Sequence, residues 1–296
     1  MVHRPSKQGS LPHFKRTSVG VLAVGMLLGG CSATAVASTK GQPEKAELDR
    51  ALTAWNRFPV GVSPRPILLL AGNTLDPEFG FPDTASKIAY GDGSISPPSS
   101  WPSSPASSKG FKIVGASTAF RSLTTPTDHP IGTPETPSLA TTGVQLGFGR
   151  FLTDRGYRDL PAWLFTVSGV QNPAKVLAVG ASSIYSASST NAGVSPSHKS
   201  ATVGSDGRRM VVTFVGAAAG TGACTADYTL SVAESKQAVA VAVISHPHRA
   251  AHSASDLACS AVGYPRHATT ELKAPLRARV VVDTQTMGAM VVNGTS

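Results

Sequence analysis

The chain has 296 residues, 41% of them hydrophobic and 6% aromatic, and a formal net charge of +9 from 26 Lys and Arg against 17 Asp and Glu. That length supports a sizeable core, as one large domain or as two small packed lobes. The positive balance does not point to nucleic acid, because the chain has no Lys/Arg run, no aromatic interleaving and no zinc-finger spacing.

The first segment explains part of that charge. His3, Arg4, Lys7, His13, Lys15 and Arg16 form a basic flank without an acidic residue, and Ser18 to Leu28 follows as an uncharged apolar run. Eleven residues are too few to cross a hydrocarbon core of about 30 Å, so the pattern predicts a secretory signal and not a membrane span. Its end, Leu28-Gly29-Gly30-Cys31, resembles the lipobox of bacterial lipoproteins, in which small side chains beside the scissile bond admit the signal peptidase. The resemblance implies cleavage between Gly30 and Cys31, a diacylglyceryl group on the Cys31 thiol, and acyl chains of the palmitate kind on the new N-terminus. Several such chains anchor stably where one would be marginal. The alternative is an ordinary signal peptide cut near Ser32 to Ala35; Lys15-Arg16 is one arginine short of a twin-arginine signal, so general secretion is favoured. Removal of residues 1–30 takes Arg4, Lys7, Lys15 and Arg16 with it and lowers the net charge from +9 to +5.

Residues 31–43 are small and polar and predict a flexible tether, leaving 44–296 as a globular extracytoplasmic body. In Pro43 to Phe58, Leu48, Ala51, Leu52, Trp55 and Phe58 recur on one helical face, with Glu44 and Glu47 at the favourable end of the helix dipole and Pro59 as the stop. This is the one helix predicted. Beyond it the chain reads as mainly β, with antiparallel strands and hairpins. Strands are expected in "PILLLAG", "FKIVGAS", "TGVQLGFGRFL", "PAWLFTVSG" and "KVLAVGASSIY", with Asp154-Arg155-Gly156 as a turn. Cys224, Ala226, Tyr228, Leu230 and Val232 alternate on one face, Glu234 to Gln237 form a polar turn, and "AVAVAVIS" returns antiparallel. "RARVVVD" and "GAMVV" predict a closing hairpin. Asp92 to Lys109, Ser122 to Thr142 and Ser182 to Arg208 are rich in Ser, Thr, Pro and Gly and read as long surface loops. Trp101 in the first of them is either an exposed contact or a ring that pins the loop.

With Cys31 set aside, an exported chain retains Cys224 and Cys259, which predicts one disulfide; two free thiols are the alternative. No Gly-x-Ser-x-Gly, His-Glu-x-x-His, Cys-x-x-Cys or Gly-x4-Gly-Lys motif occurs. Gly216, Gly220 and Gly222 have dehydrogenase-like spacing, but a period-two segment follows where a phosphate-binding helix would have to start, so a turn between strands is expected. His246, His248, His252 and Asp256 form the most site-like stretch. Were the segment after Pro247 helical, His248, His252 and Asp256 would stack as zinc ligands; a solvated histidine loop is the expectation, with no cofactor. Asp76, Glu78 and Asp83 match no calcium loop and read as turn carboxylates, Asp128-His129 has no identifiable nucleophile, and Asn293-Gly294-Thr295 fits a glycosylation acceptor.

Taken together, the lipobox, "WNRFPV", "SPRPILLLAG", "DLPAWLF", "CTADYTLSVAESKQAVAVAV" and "ELKAPLRARVVVD" resemble surface lipoproteins of high-GC actinomycetes. The resemblance implies residence on the outer face of the plasma membrane and no particular activity. The expected function is a lipid-anchored surface module that binds a cell-wall component, a small ligand or a neighbouring protein. The alternatives are a cell-envelope hydrolase with an unplaced carboxylate or a histidine such as His129, His246 or His248, and a purely structural lipoprotein.

Overall fold

Residues 42–77, 80–125, 138–186, 199–248 and 259–294 are described in the structure, a computed structural model. Residues 1–41, on which the expected signal peptide, Cys31 and nearly all of the expected tether fall, lie outside them. The first element, α1 (Gln42–Ala54), carries the predicted stripe: Leu48, Ala51 and the following Trp55 and Phe58 are all buried. Residues 67–70 then run extended, with Ile67 bridged to Ile184 and Leu69 to Thr153. The strand expected here is only this pair of isolated bridges. Its alternate side chains enter different apolar clusters, Leu68 and Leu70 beside α1 and Ile67 on the opposite side, so the segment is wedged between cores.

Next come β1 (Thr74–Leu75), α2 (Thr84–Gly91), β2 (Ile95–Ser96), β3 (Ser107–Ser108), β4 (Phe111–Lys112), α3 (Ala116–Thr124), β5 (Leu139–Thr153), β6 (Gly156–Val167) and β7 (Ala174–Leu177). They build a five-stranded sheet of order β1-β7-β6-β5-β2, centred on the long β5–β6 hairpin whose register closes at Thr153↔Gly156. Gly156 sits at φ 77°, a left-handed position that suits glycine, as the predicted turn requires. Period-two alternation sends Trp163, Phe165 and Val167 to one face, where α2 and α3 cover them with Tyr90, Phe120 and Leu123. Leu160 and Ala162 go to the other face, against Phe151, Leu177, Val179 and Ile67.

Among the described residues three α-helices form where one was expected: α2 is started by Asp83, whose side chain accepts the Ser86 N–H at 2.7 Å, and α3 buries Ala116, Ala119, Phe120 and Leu123 on one stripe. Asp92 to Lys109 is also not simply loop. Ile95 pairs in parallel with Leu139 in the sheet, and Trp101 lays its edge on Phe120 at 5.4 Å while remaining 39% exposed, so the ring pins the segment and still meets solvent.

The rest of the chain contributes β8 (Ser200–Val203), β9 (Arg209–Gly216), β10 (Ala226–Glu234), β11 (Ala238–Pro247), β12 (Tyr264–Glu271), β13 (Val280–Asp283) and β14 (Val291–Asn293). Sheets of order β10-β11-β13 and β12-β9-β8-β14 enclose a core that includes Met210, Val212, Phe214, Val239, Val241, Val281, Leu272, Leu276 and Met290. The predicted β10–β11 hairpin is present, running antiparallel from Ala226↔Pro247 to Glu234↔Val239. The outer face of that sheet presents Ala238, Ala240, Ala242, Val280 and Val282, and these small side chains let α1 lie close, burying Trp55 to 1% exposure. The arrangement is therefore helix on sheet on sheet. The closing hairpin forms only at its turn: Asp283 N–H donates to the Gly288 carbonyl and Met290 N–H to that of Val281, after which β14 crosses over to pair in parallel with β8. No helix begins after Gly216, as expected, and Gly216 packs against the Tyr228 ring. Cys224 and Cys259 form the disulfide. Lys40–Ser296 holds together as one compact unit.

Candidate binding cleft

The site is set by a mismatch in strand length. β11 has ten residues, whereas β13 pairs with it only from Ala238↔Val280 to Val241↔Asp283. The ladder stops when Thr284 N–H donates to the Val241 carbonyl at 3.1 Å, and the chain then turns away through Thr284 to Met287. A cleft of about 490 Å³ lies at this point, lined by Ala242, Val243 and Ile244 of β11, Glu47 and Arg50 of α1, Lys199, and Thr284, Gln285 and Met287 of the turn. Its volume is in the range of small-ligand pockets.

Ala242 and Ile244 turn their side chains to the α1 face and Val243 to the other, so the cleft meets β11 where α1 and the turn after β13 both leave the strand uncovered. Which main-chain groups point away from β10 follows from the register. Ser235 N–H donates to the Ala238 carbonyl and His248 N–H to that of Thr225, so the even-numbered residues of β11 exchange hydrogen bonds with β10. The odd-numbered residues direct N–H and C=O to the opposite edge. There Gln237, Val239 and Val241 meet β13 or its flanks, while Val243 and Ser245 meet no strand among the described residues.

The polar wall is fixed from below. Asp283, 1% exposed, accepts from Lys199 Nζ at 2.9 Å and from the Gln285 N–H at 3.1 Å, and Gln285 Oε1 accepts from the same Nζ at 3.0 Å. The opposite wall places Glu47 and Arg50 three residues apart on α1, neighbours on a helix surface. Met287 adopts φ 55°, and its carbonyl accepts from Trp55 Nε1 at 3.0 Å, which ties the turn to the helix. A lining that combines the apolar Ala242, Val243, Ile244 and Met287 with one acidic and two basic groups suits a ligand that has both apolar and ionic parts.

The residues singled out in the sequence are placed as follows. His246 is the last but one residue of β11 and His248 follows the strand directly; the segment beyond it, for which the stacking of His248, His252 and Asp256 was considered, lies outside the described residues. His246 Nε2 lies 2.8 Å from Thr229 Oγ1 and His248 Nε2 3.0 Å from Asp227 Oδ2, so each ring is turned onto β10 and the two do not converge. No metal-ligating group of three or more occurs among the described residues, and His252 and Asp256 lie outside them. The carboxylate beside His248 belongs to Asp227, whose side chain is 68% exposed, unlike the buried carboxylate that an envelope hydrolase would need there. Asp83 caps α2, and Asp76 accepts from the Tyr90 hydroxyl at 3.2 Å; burial, reinforced by that carboxylate, pushes the Tyr90 pKa far upward. Glu78 and Asp128-His129 lie outside the described residues. The cleft residues Glu47, Arg50, Lys199 and Gln285 carry no motif; only the Glu47/Arg50 spacing beside the apolar stripe of α1 is a sequence signal.

Searches of protein-family profiles, of curated proteins and of solved structures each found no match to this chain. No helix among the described residues is long and apolar enough to cross a membrane.

Proposed function

We propose that the protein is a lipid-anchored surface lipoprotein of the bacterial plasma membrane, held by Cys31 on the extracytoplasmic side, and that its β body is a binding module whose ligand enters the cleft between α1 and the edge of β11. The anchor rests on the Leu28-Gly29-Gly30-Cys31 sequence after a short apolar run. The observation that carries the binding reading is the cleft itself, whose lining combines apolar side chains with Glu47, Arg50 and a Lys199 that is held in place by the buried Asp283. A buried ion pair adds little net stability and is retained here as the support of a polar wall.

Two measurements test this. Metabolic labelling with a radioactive fatty acid is expected to mark the wild type and not Cys31→Ser; equal labelling, or none in the wild type, refutes the anchor. Titration of the protein with a soluble cell-wall digest is expected to shift the methyl NMR signals of Met287 and Ile244, and Arg50→Ala is expected to weaken that response severalfold. An unmoved spectrum contradicts the cleft as the binding site for wall material.

A further inference from the structure

The open edge of β11 specifies the class of ligand. Val243 and Ser245 each aim one main-chain donor and one acceptor away from β10, and β13 ends before reaching them. An unpaired strand edge is a template for another strand, which most proteins blunt with charge, proline or cover. Here the first proline on the strand is Pro247, beyond the cleft, and Val243 itself lines the cavity. We propose that the cleft binds a short extended peptide by strand addition, with the peptide taking the line that β13 vacates at Thr284. This deepens the binding reading above and rests on it.

The recognition chemistry follows from strand geometry. The main chain of the peptide would exchange hydrogen bonds with Val243 and Ser245, about 7 Å apart along β11, which needs three to four peptide residues. Its alternate side chains would point toward the α1 side, where Ala242, Ile244 and Met287 give apolar contact and Glu47 and Arg50 flank the opening with both signs of charge. Main-chain pairing supplies affinity that tolerates different sequences, while the α1 wall selects among them. Val243 lines the cavity, and its main-chain groups, with those of Ser245 beyond it, are directed to the strand edge that β10 does not use.

The test uses the full chain, purified in detergent and labelled with nitrogen-15, and two probes: an N-acetylated tetrapeptide amide mixture of randomised sequence, and the same mixture N-methylated at alternate residues. The unmodified mixture is expected to move the amide signals of Val243 and Ser245 and to slow their exchange with solvent. N-methylation removes the donors of the peptide and is expected to weaken binding about tenfold or more. Ser245→Pro removes an edge donor that β10 does not use and is expected to weaken binding similarly while leaving the rest of the spectrum in place. If the Ile244 and Met287 methyls respond but N-methylation and Ser245→Pro have no effect, strand addition is wrong and the binding reading stands. If neither the peptides nor the cell-wall digest moves any of these signals, both are wrong.

Discussion

Asp154→Asn is expected to be the most damaging isosteric change in the molecule outside its apolar clusters. Asp154 opens the β5–β6 turn at 1% exposure, and its carboxylate receives the Arg65 guanidinium in a two-pronged contact, with Nη1 at 3.1 Å, while Arg155 Nε lies 3.7 Å away. Its backbone donates to the Leu68 carbonyl and accepts from the Val292 N–H. Arg65 also donates to Ala278 O at 2.9 Å, and Arg155 to Arg277 O at 2.9 Å and Arg279 O at 2.6 Å, so this one turn joins the hairpin to both neighbouring segments. Burial already holds the Arg155 guanidinium below its ordinary pKa, opposed by the Asp154 charge. Asparagine keeps the shape but leaves two partly buried guanidiniums without a counter-charge. Removing one partner of a buried pair costs about 3–5 kcal/mol, and the 20% exposure of the Arg65 side chain places this case near the lower end, about 3 kcal/mol. At about 2–4 °C per kcal/mol for a domain near this size, the calorimetric Tm should fall by about 6–12 °C. A fall of less than about 2 °C would show that solvent screens the cluster and that the turn is held by its backbone bonds alone.

Three further outcomes follow. Reducing Cys224–Cys259 opens a loop spanning 35 positions, which the chain-entropy relation values at about 4 kcal/mol, so Tm should drop by about 8–16 °C; an unchanged melting curve would contradict this. A Cβ at Gly149 would stand 2.7 Å from Phe151 Cε2 and 3.2 Å from Leu75 Cδ1, so Gly149→Ala should cost about 1–3 kcal/mol in denaturant titration, whereas Gly61→Ala, with nothing within 4 Å, should be near neutral. Burial pulls the Glu234 pKa upward, but hydrogen bonds from Arg279 and from the Lys273 and Ala274 N–H groups outweigh it and hold the carboxyl below its ordinary value of 4.5. A depressed folded pKa adds stability above the unfolded pKa that is lost as pH falls through the folded one. The Tm gap between wild type and Glu234→Gln should therefore be constant above about pH 5.5 and close as the pH drops below 4.5, and a gap that does not change with pH would refute the clamp.

The parts of the fold that were legible in the sequence are those where one surface decides one element. The stripe from Leu48 to Phe58 faces a single sheet and the alternation in Ala226 to Val232 faces a single core, so period alone located α1 and β10; β11, whose Val239 and Val241 enter one cluster and whose Ala238, Ala240 and Ala242 enter another, was legible only as the return of that hairpin across a polar turn. Elements that share their burial and lack such a hairpin partner were not legible. Leu68 and Leu70 serve one cluster and Ile67 another, which makes a continuous apolar run without a ladder. The helix α2 has eight residues, and Asp83, its cap, reads in isolation as one more turn carboxylate. The cleft was invisible for a different reason: it exists because β13 stops four residues into a ten-residue neighbour, and strand order and relative length are properties of pairing that neither strand encodes alone.

The open edge of β11 is tested most directly by amide hydrogen exchange in the ligand-free protein. The N–H groups of Ala242 and Ile244 bond to β10 and should exchange slowly, while those of Val243 and Ser245 point to the edge beyond the end of β13 and should exchange orders of magnitude faster, giving alternating protection along one strand. Uniform protection of all four amides would mean that the edge is already occupied and that the cleft is not a site for an added strand.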